Sequence, residues 1–591
     1  MKPAIISFVS AAEPVADRIA GATGGRRYRC GASGEEDAAL LLLRRLFRDG
    51  VPIVGVCAAG ILIRLLAPFL GDKHAEPPVI AVSADGAHVV PLLRGHHGAN
   101  RLARQIAAAL GGTAALTTAS DSRFIRGLDE PPEGYVLENP HAAKPAMAAV
   151  LGGASLRIAG DGRWLTDAGY PVAGDGAVSV ALTERADAVA DLLYRPETLV
   201  AGVGCERGAD PAEVIGLIEA TLADAGLSPL GLTAIATIDL KADEPALHAA
   251  AAHFGVPLRL LTAAELDAER HRLKTPSPVV EAEIGIPGVA EAAALKAGTL
   301  LVPKRKSARA TCAIGIAPAP LDATGIGRAP GVVHLVGIGP GNAASRTAAV
   351  VRALEAASDW VGYGLYLDLI ADLRLGQAEH RFGLGDEEPR VRHALELAAT
   401  GRTVALVCSG DAQIYAMAAL AYELLEAGGS RALSDAARRV GVEVHSGISA
   451  FQAASAAAGA LIGHDFCCIS LSDLLTRREA IVTRLNAAAA GDFVTALYNP
   501  RSARRIELLD TALALFRAHR PPETPVVIAR NLGRPDEAVR VVPLAEVDAA
   551  TVDMLTIVLI GSSTSRAFAR GDGHTVAYTP RGYARKAEAA E

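Results

Sequence analysis

The stretch Val332–Asn342, which reads VVHLVGIGPGN, constrains the fold of this chain more than any other. An apolar, β-branched run bounded by glycines is typical of a buried parallel strand, and the following glycines let the backbone turn tightly and approach a ligand. The pattern predicts a strand that ends beneath a small-molecule site. A purely structural turn between a strand and a helix is the simplest alternative.

Two better-known phosphate-binding motifs fit this turn poorly. The dinucleotide-binding fingerprint needs a third glycine where Asn342 stands and an acidic residue at the end of the next strand, whereas Asp359 precedes that strand. A P-loop needs Gly-Lys-Ser/Thr at the start of the helix, and this chain has Ala343, Ala344 and Ser345 there. The first motif is therefore weakened and the second is excluded.

The composition favours layered α/β domains without a nucleic-acid partner. Half of the residues are hydrophobic but only 4% are aromatic, and small residues let helices pack closely on parallel strands. A length of 591 residues predicts roughly three to five domains. The net charge of −7 argues against general binding of nucleic acid.

The cysteines and the apolar segments predict a reduced, soluble protein of the cytoplasm. None of the seven cysteines forms a C-x-x-C pair, so neither a disulfide framework nor a bound metal is predicted. The N-terminus has the short apolar run of a first strand and not that of a signal peptide. Because no uncharged segment reaches about 18 residues, no membrane partner is expected.

Two α/β regions and an insert are predicted before residue 319. A strand at 4–9, a helix at 37–47 and a strand at 51–56 open the first domain, residues 1–130. The loop GHHGAN at 95–100 places His96 and His97 at the start of a helix, where they can hold an anion or supply a proton. Residues 131–196 predict a small insert of short strands, and 197–318 a second α/β domain.

Several separated motifs in this half resemble the cobalt-precorrin-5A hydrolases of cobalamin biosynthesis. They are GHHGAN, TTASD at 117–121, GVGCERG at 202–208, IDLKADE at 238–244, VAEAA at 289–293 and Lys304. The resemblance implies an enzyme that opens a δ-lactone on the ring-contracted macrocycle and releases acetaldehyde. Lactone opening needs an activated water and a stabilised oxyanion, for which our candidates are His96, His97, Asp239, Lys241 and Glu244. The alternative is a domain that only binds or carries the macrocycle.

Residues 319–331 have the Pro, Ala and Gly content of a tether and are predicted to link the two halves. Beyond them, successive predicted strands end in polar or glycine residues. Four such motifs together resemble the tetrapyrrole methyltransferases, which bind S-adenosylmethionine in a trough between two α/β domains. They are VGIGPG at 336–341, GDAQIY at 410–415, GISA at 447–450 and TIVLIG at 556–561.

Within that class the chain most resembles precorrin-3B C(17)-methyltransferase, which contracts the ring to precorrin-4. This resemblance rests on YGLYLDLI at 363–370, GHDFCCISLSDLLT at 463–476 and ALYNPRSARR at 496–505. It implies two subdomains, 332–447 and 448–570, a tail at 571–591, and a homodimer formed through this half. Asn342 departs from the Asp that many relatives have there. The sequence leaves open whether the tetrapyrrole substrate carries cobalt, as it does for cobalt-factor III methyltransferases.

The site residues follow from these strand ends. We predict a pocket for S-adenosylmethionine in which a β-carbon on Gly339 or Gly341 would take the place of the cofactor. Its residues are Gly339, Pro340, Gly341, Gly410, Asp411, Ile414, Tyr415, Ser449, Ala450 and Tyr498. Ile414 and Tyr415 are expected to wall an apolar ring, and Asp411 to offer an acceptor at a helix start.

Arginines beside the motifs are candidates for binding the carboxylate arms of the substrate. They are Arg501, Arg504 and Arg530, with Arg505 and Arg534 nearby. The base for ring contraction is predicted to be Asp473, with His464 and Tyr363 as alternatives. A nicotinamide oxidoreductase and a non-catalytic tetrapyrrole carrier are the competing classes of function.

Overall fold

The computed structural model describes residues 2–29, 36–71, 76–95, 98–116, 123–374, 376–502 and 506–583. The chain divides into two compact units, Met1–Arg328 and Ala329–Glu591. Both units are built of α-helices and β-sheets, as the sequence predicts. Within the described part of the chain, no helix is both long and apolar enough to span a bilayer.

The first unit begins with a six-stranded sheet in the order β2-β1-β3-β4-β5-β6, parallel except where β4 meets β5. Its strands are β1 Ala4–Ser7, β2 Arg26–Arg29, β3 Ile53–Val56, β4 Val79–Val82, β5 His88–Leu93 and β6 Thr113–Ala114. Its helices are α1 Glu13–Thr23, α2 Glu36–Arg48, α3 Ala59–Leu66 and α4 Ala99–Leu110. Residues such as Ile5 and Ile80 are fully buried between the sheet and α1 and α4, as expected of β-branched side chains in parallel strands.

A four-stranded sheet with its own core follows, in the order β7-β10-β9-β8. Its strands are β7 Tyr135–Leu137, β8 Leu156–Ala159, β9 Val178–Leu182 and β10 Leu192–Pro196, with helices α5 Ala143–Leu151 and α6 Arg163–Asp167. These elements fall in the range for which a small insert is predicted. The predicted limits of the domains themselves stay predictions.

The third sheet of this unit has the order β13-β12-β11-β15-β14. Its strands are β11 Leu199–Cys205, β12 Leu232–Ile238, β13 Leu258–Leu261, β14 Thr299–Lys306 and β15 Ala310–Ile316. Its helices are α7 Pro211–Asp224, α8 Pro245–Phe254, α9 Ala263–Asp267, α10 Pro278–Ile284 and α11 Ala290–Ala294. Because β11 and β12 are parallel neighbours, the CERG and DLKADE segments that follow them lie at the same sheet edge.

The segment predicted to be a free tether packs on the first unit. Ile326 is buried, and Arg259 donates hydrogen bonds to the carbonyls of Thr324, Ile326 and Gly327. Arg328 pairs with Leu260 through both backbone groups. Composition alone did not reveal this because one buried arginine on β13 satisfies carbonyls that would otherwise need water.

The second unit opens with a parallel five-stranded sheet in the order β18-β17-β19-β16-β20. Its strands are β16 Val332–Gly337, β17 Asp359–Tyr363, β18 Ala378–Phe382, β19 Thr403–Cys408 and β20 Gly441–His445. Its helices are α12 Ala348–Ala356, α13 Gly364–Asp368, α14 Glu387–Ala398 and α15 Ala418–Glu426. Val333 and Leu335 are buried in the same core as α14 and α15, whereas Val336 is buried with residues of α12.

A mixed sheet in the order β22-β23-β26-β24-β25 and a small sheet β21-β28-β27 complete the unit. The strands are β21 Gly459–Ala460, β22 Phe466–Ser470, β23 Val494–Tyr498, β24 Pro525–Arg530, β25 Ala538–Pro543, β26 Thr556–Ile560, β27 Arg566–Ala569 and β28 Thr575–Tyr578. The helices are α16 Ala450–Ala458, α17 Arg478–Ala490 and α18 Glu507–His519.

Candidate active site

Three predicted motifs meet where β16, β19 and β20 end. These strands are parallel neighbours, so their carboxyl ends lie at one sheet edge, where open α/β sheets place ligand sites. Gly339 and Gly410 exchange two backbone hydrogen bonds, from the Gly339 amide over 3.1 Å and from the Gly410 amide over 2.8 Å. Both have positive φ angles, +78° and +67°, which glycine adopts at least cost.

Gly447 joins this pair as the third strand end. A β-carbon on Gly447 would lie 2.2 Å from the carbonyl oxygens of both Gly337 and Gly410. The Gly447 amide donates a 3.1 Å hydrogen bond to Oδ2 of Asp411, while Oδ1 accepts from the Gln413 amide over 2.8 Å. The Asp411 residue is 6% exposed. Asp411 therefore holds the loop after β20 against the loop after β19.

This role differs from the one predicted for Asp411. The next helix, α15, begins only at Ala418, so Asp411 is not an acceptor at its start. The prediction that a β-carbon on Gly339 or Gly341 would take the place of the cofactor stays a prediction, and the structure adds a second reason for glycine there. A β-carbon on Gly339 would lie 2.9 Å from the Ser345 carbonyl oxygen, and one on Gly341 would lie 2.6 Å from Cγ of Arg534. Protein neighbours already favour glycine at both positions.

Arg534 links the glycine turn to the end of β19. Its Nε donates to the Pro340 carbonyl and a terminal nitrogen donates to Ser409 Oγ, each over 3.1 Å. Its position beside a motif suggested a substrate-binding arginine. The structure places it instead as a brace that fixes the turn, a role that no local pattern signals because the partners are 194 and 125 residues away in sequence.

Ser449 is the N-cap residue of α16 and Ala450 is its first residue, and Tyr498 of β23 lies beside them. The Ser449 and Tyr498 hydroxyls lie 2.6 Å apart, and the Phe451 amide donates to the Tyr498 hydroxyl over 3.3 Å. Burial raises the pKa of Tyr498 to about 12, so its hydroxyl stays protonated at neutral pH. Sequence reasoning placed these residues together but did not foresee that a tyrosine from β23 caps the helix.

The wall that Ile414 and Tyr415 are predicted to form is present in part. Ile414 packs against a buried cluster, while the Tyr415 ring lies 5.0 Å from the Tyr498 ring. The Tyr415 hydroxyl donates to the Cys468 carbonyl over 2.8 Å, and the residue is 52% exposed. A β-carbon placed on Gly410 would lie 3.7 Å from Cα of Ser449 and 3.9 Å from the Ala450 amide nitrogen, so the turn is within van der Waals reach of the start of α16.

A cleft of about 440 Å³ borders the glycine turn. Of the predicted cofactor residues only Pro340 lines it, with Asn342 beside it. The rest of the lining is Ser345, Ile448 of the GISA motif, and residues of α16 and of the loop after β24, including Gln452 and Glu537. We assign the ligand site to the strand ends and not to this cleft, because backbone groups of three strands converge at the strand ends.

The predicted substrate arginines have protein partners in the structure. Arg501 donates to the Ala549 carbonyl, and Arg530 forms a 2.8 Å ion pair with Asp553. Both guanidinium groups would therefore have to exchange a protein partner for a substrate carboxylate. Arg504 and Arg505 lie outside the described residues.

The candidate bases are spread over the second unit. Asp473 is exposed in the turn after β22, and His464 is half exposed with its Nδ1 accepting from the Asp465 amide. Tyr363 packs edge-on against Tyr366 at 5.2 Å. None of the three is a member of the strand-end cluster around Gly410.

In the first unit, the CERG and DLKADE segments form a second cluster. Glu244 is fully buried and accepts from the Gly208 amide at 3.1 and 3.2 Å. Lys241 Nζ lies 4.0 Å from its carboxylate and Arg207 lies 3.7 Å away. Asp239, in contrast, is paired with Arg328 at 2.9 Å. Lys241 and Glu244 are thus brought together as predicted. Asp239 instead forms an ion pair that holds Arg328 at the end of the first unit. His96 and His97 lie outside the described residues.

A buried carboxylate at Glu291 was not predicted as a site. It accepts from the amides of Lys274, Thr275 and Lys304 and from the Thr275 hydroxyl, over 2.7 to 3.0 Å. Burial alone raises its pKa, but these hydrogen bonds outweigh that effect and hold the pKa below its usual range. Both VAEAA and Lys304 were noted in the sequence, yet only the fold shows that they meet.

Known proteins resemble both units. Residues 332–548 match the profile of the tetrapyrrole (corrin/porphyrin) methylases. Residues 41–121 and 199–315 match the profiles described as cobalamin synthesis G N-terminal and cobalamin synthesis G C-terminus.

Individual relatives agree with these profiles. A precorrin-3B C(17)-methyltransferase from Sinorhizobium sp is 41% identical over 254 residues, which make up 43% of this chain and 98% of that protein. A cobalt-factor III methyltransferase from Priestia megaterium is 37% identical over 257 residues, 43% of this chain, which spans only 46% of that relative. The crystal structure of the methyltransferase CobJ is 39% identical and covers 42% of this chain and 98% of its own, with a TM-score of 0.38.

The chain therefore belongs to the tetrapyrrole methylase family, a class of methyltransferases. Within it the second unit is a homologue of the C(17)-methyltransferases of cobalamin biosynthesis, and it is fused to a cobalamin synthesis G region. Both predicted resemblances are confirmed.

Proposed function

We propose that the second unit transfers the methyl group of S-adenosylmethionine to carbon 17 of precorrin-3B, with contraction of the ring to precorrin-4. The observation that carries the proposal is the closure of Gly339, Gly410 and Gly447 into one backbone cluster at the carboxyl ends of three parallel strands. Such a cluster at the carboxyl edge of an open α/β sheet suits a ligand held by backbone groups. The 98% coverage of the Sinorhizobium relative supports the choice of position and substrate.

The residues that would hold the cofactor are Gly410 with Pro340, Ile414, Ala450 and Tyr498. Bound there, S-adenosylmethionine would supply an electrophilic methyl group on a sulfonium. The chain itself needs no covalent nucleophile, because in-line transfer depends on alignment and exclusion of water. Asp411, Arg534 and Ser449 would support the site indirectly, because they fix the loops that carry the cofactor-binding residues.

Ring contraction requires removal of a hydroxyl proton from the substrate, and Asp473 remains our candidate for the base. Its side chain is exposed, so a macrocycle can approach it. We expect Asp473→Asn to slow formation of the contracted product by about 10²-fold or more while binding of S-adenosylmethionine is unchanged. An unchanged rate would remove Asp473 from the mechanism.

The cobalt-first route is the second candidate, because the Priestia relative is named for cobalt-factor III. The full chain is incubated with S-adenosylmethionine and either metal-free precorrin-3B or cobalt-factor III, and products are followed by mass spectrometry. A gain of one methyl group with the metal-free substrate supports our proposal. A gain only with the cobalt substrate selects the second route, and no gain with either overturns both.

For the first unit we propose lactone opening. Lys241 beside the buried Glu244 offers a cation for a developing oxyanion, and water adds to the lactone carbonyl as the ring C–O bond breaks. The freed hydroxyl then loses its proton, its oxygen forms the aldehyde C=O, and the carbon–carbon bond to the macrocycle breaks, so that the two-carbon fragment leaves as acetaldehyde and the macrocycle keeps the electron pair and takes up a proton. Lys241→Ala is expected to lower acetaldehyde release from a lactone-bearing intermediate at least about tenfold, and Lys274→Ala is the control. If the wild-type chain binds the macrocycle but releases no acetaldehyde, the unit is a carrier.

We also propose a homodimer through the second unit. Leu474 and Leu475, in the turn after β22, are 80% exposed and fully exposed, which is unusual for consecutive large apolar residues. Light scattering is expected to give twice the chain mass, and Leu475→Glu to give a monomer. A monomeric wild-type protein would exclude the dimer.

A further inference from the structure

Two histidines and a glutamate converge on one face of the parallel sheet of the second unit. His334 lies on β16, and Glu443 and His445 lie on the adjacent edge strand β20. The strands pair His334 with Glu443, and side chains two residues apart on a strand share a face. The three side chains are therefore placed together by backbone register alone.

Their nitrogen and oxygen atoms have the spacing of a metal-ligand set. His334 Nδ1 lies 3.0 Å from His445 Nε2 and 3.3 Å from Glu443 Oε2, and the latter two atoms are 3.6 Å apart. Atoms with these separations can all lie about 2.1 Å from one common point, which is the bond length of Zn²⁺ to imidazole nitrogen and carboxylate oxygen. Without an ion, the two rings share one hydrogen bond.

The surroundings favour an ion over a salt bridge. Among the described residues, Glu443 forms ion pairs only with these two histidines and with no Lys or Arg. The histidine side chains are 12% and 19% exposed, while Glu443 is 59% exposed. The site is thus fixed on its inner side and open on the outer side, where water can complete the coordination.

We infer that His334, Glu443 and His445 bind a divalent first-row transition-metal ion such as Zn²⁺ or Co²⁺. Two imidazoles and one carboxylate suit these ions better than Mg²⁺ or Ca²⁺. The sequence predicts no metal site because the two histidines are 111 residues apart and no short motif joins them. A bound ion would fasten the edge strand β20 to β16, two residues before Gly447.

The test uses the full chain without a histidine tag, stripped of metal with a chelator and titrated with ZnCl₂ in a calorimeter. The expected result is one site that is lost, or weakened at least about tenfold, in Glu443→Gln and in His445→Gln. His464→Gln, which removes an exposed histidine of the same unit, is the matched control and should titrate like the wild type. Circular dichroism checks that each variant is folded.

Co²⁺ gives an independent readout, because a low-symmetry site with nitrogen ligands produces visible absorption bands that hexa-aqua Co²⁺ lacks at that strength. These bands should appear with the wild type and the control and vanish in Glu443→Gln, a mostly exposed change that leaves the core alone. Equal Zn²⁺ stoichiometry and affinity in wild type and both variants would overturn the inference. So would absence of Zn²⁺ binding by the wild type at micromolar concentration.

Discussion

Gly447 shows how closely the backbone is packed at the strand ends. A methyl group there would meet two carbonyl oxygens at 2.2 Å, so at least one of the three loops must move. We expect Gly447→Ala to weaken S-adenosylmethionine binding at least tenfold, about 1.4 kcal/mol, in calorimetry. Gly428→Ala is the control, because nothing lies within 4 Å of its β-carbon and its φ is −118°. Equal affinity of a folded Gly447→Ala protein would contradict the assignment of the site.

Asp359 allows a test of electrostatics by pH. It is 1% exposed and accepts hydrogen bonds from Ser358, His380 and Arg402. Burial raises its pKa, but these bonds outweigh burial and hold the pKa below its usual range. Because the folded pKa is depressed, the stabilisation is present above the unfolded pKa of about 4 and is lost as pH falls through the folded value.

We therefore expect Asp359→Asn to destabilise the second unit by about 2 kcal/mol at pH 7. The difference from the wild type should shrink only below about pH 4. The chain has two tryptophans, so a Trp164→Phe background leaves the buried Trp360 as the reporter in urea titrations. A difference that is the same at pH 7 and at pH 3 would show that the charge is not what stabilises the site.

At the scale of the element, the start of α16 depends on a residue from β23. Tyr498→Phe removes the hydroxyl that Phe451 and Ser449 use, leaving two polar groups without this partner. We expect a loss of about 1 to 2 kcal/mol in the stability of the second unit, because each buried polar group that loses its hydrogen-bond partner costs about 1 kcal/mol. Tyr422→Phe on α15, a half-exposed tyrosine, should change stability little. Equal losses in the two variants would argue against the capping role.

What the sequence predicted at this scale follows from local chemistry. Strands such as β16 and β19 were recognised because apolar runs and glycine ends are local signals. The parallel sheet also brought Gly339, Gly410 and Gly447 together as expected. The partners of Asp411, Arg534 and Tyr498 were not predictable, since each contact joins loops more than 30 residues apart. The same limit hid Glu291 and the three-residue cluster at His334.

At the scale of the whole molecule, the connection between the units is short. Arg328 is fixed by Leu260 and Asp239, and the Gly331 carbonyl accepts from the Gly441 amide, which leaves Ala329 and Pro330 between the two anchors. The predicted tether would be cut readily by protease. The structure predicts the opposite for the native chain, because a protease needs several residues of free backbone.

Trypsin can test this at Arg328. We expect the wild type to resist cleavage there, and Arg259→Gln to be cut at least about tenfold faster, because three carbonyls lose their donor. Arg305→Gln, on β14 at the opposite edge of the same sheet, is the control. Fragments 1–328 and 329–591 identified by mass spectrometry would report the cut. Rapid cleavage of the wild type at Arg328 would instead support the prediction that this segment is a free tether.

The position of β16 has a consequence for how the protein is made. It is the first strand of its unit to leave the ribosome, yet it lies between β19 and β20, which are synthesised last in that sheet. Both edges of this apolar strand therefore stay unpaired until Cys408 has emerged, and one edge until His445 has emerged, and such edges attract other chains. Nascent or truncated chains that stop between β19 and β20 should be clients of chaperones, whereas those that stop after Arg328 should not. Translation speed across residues 409–440 would then set the yield of active enzyme.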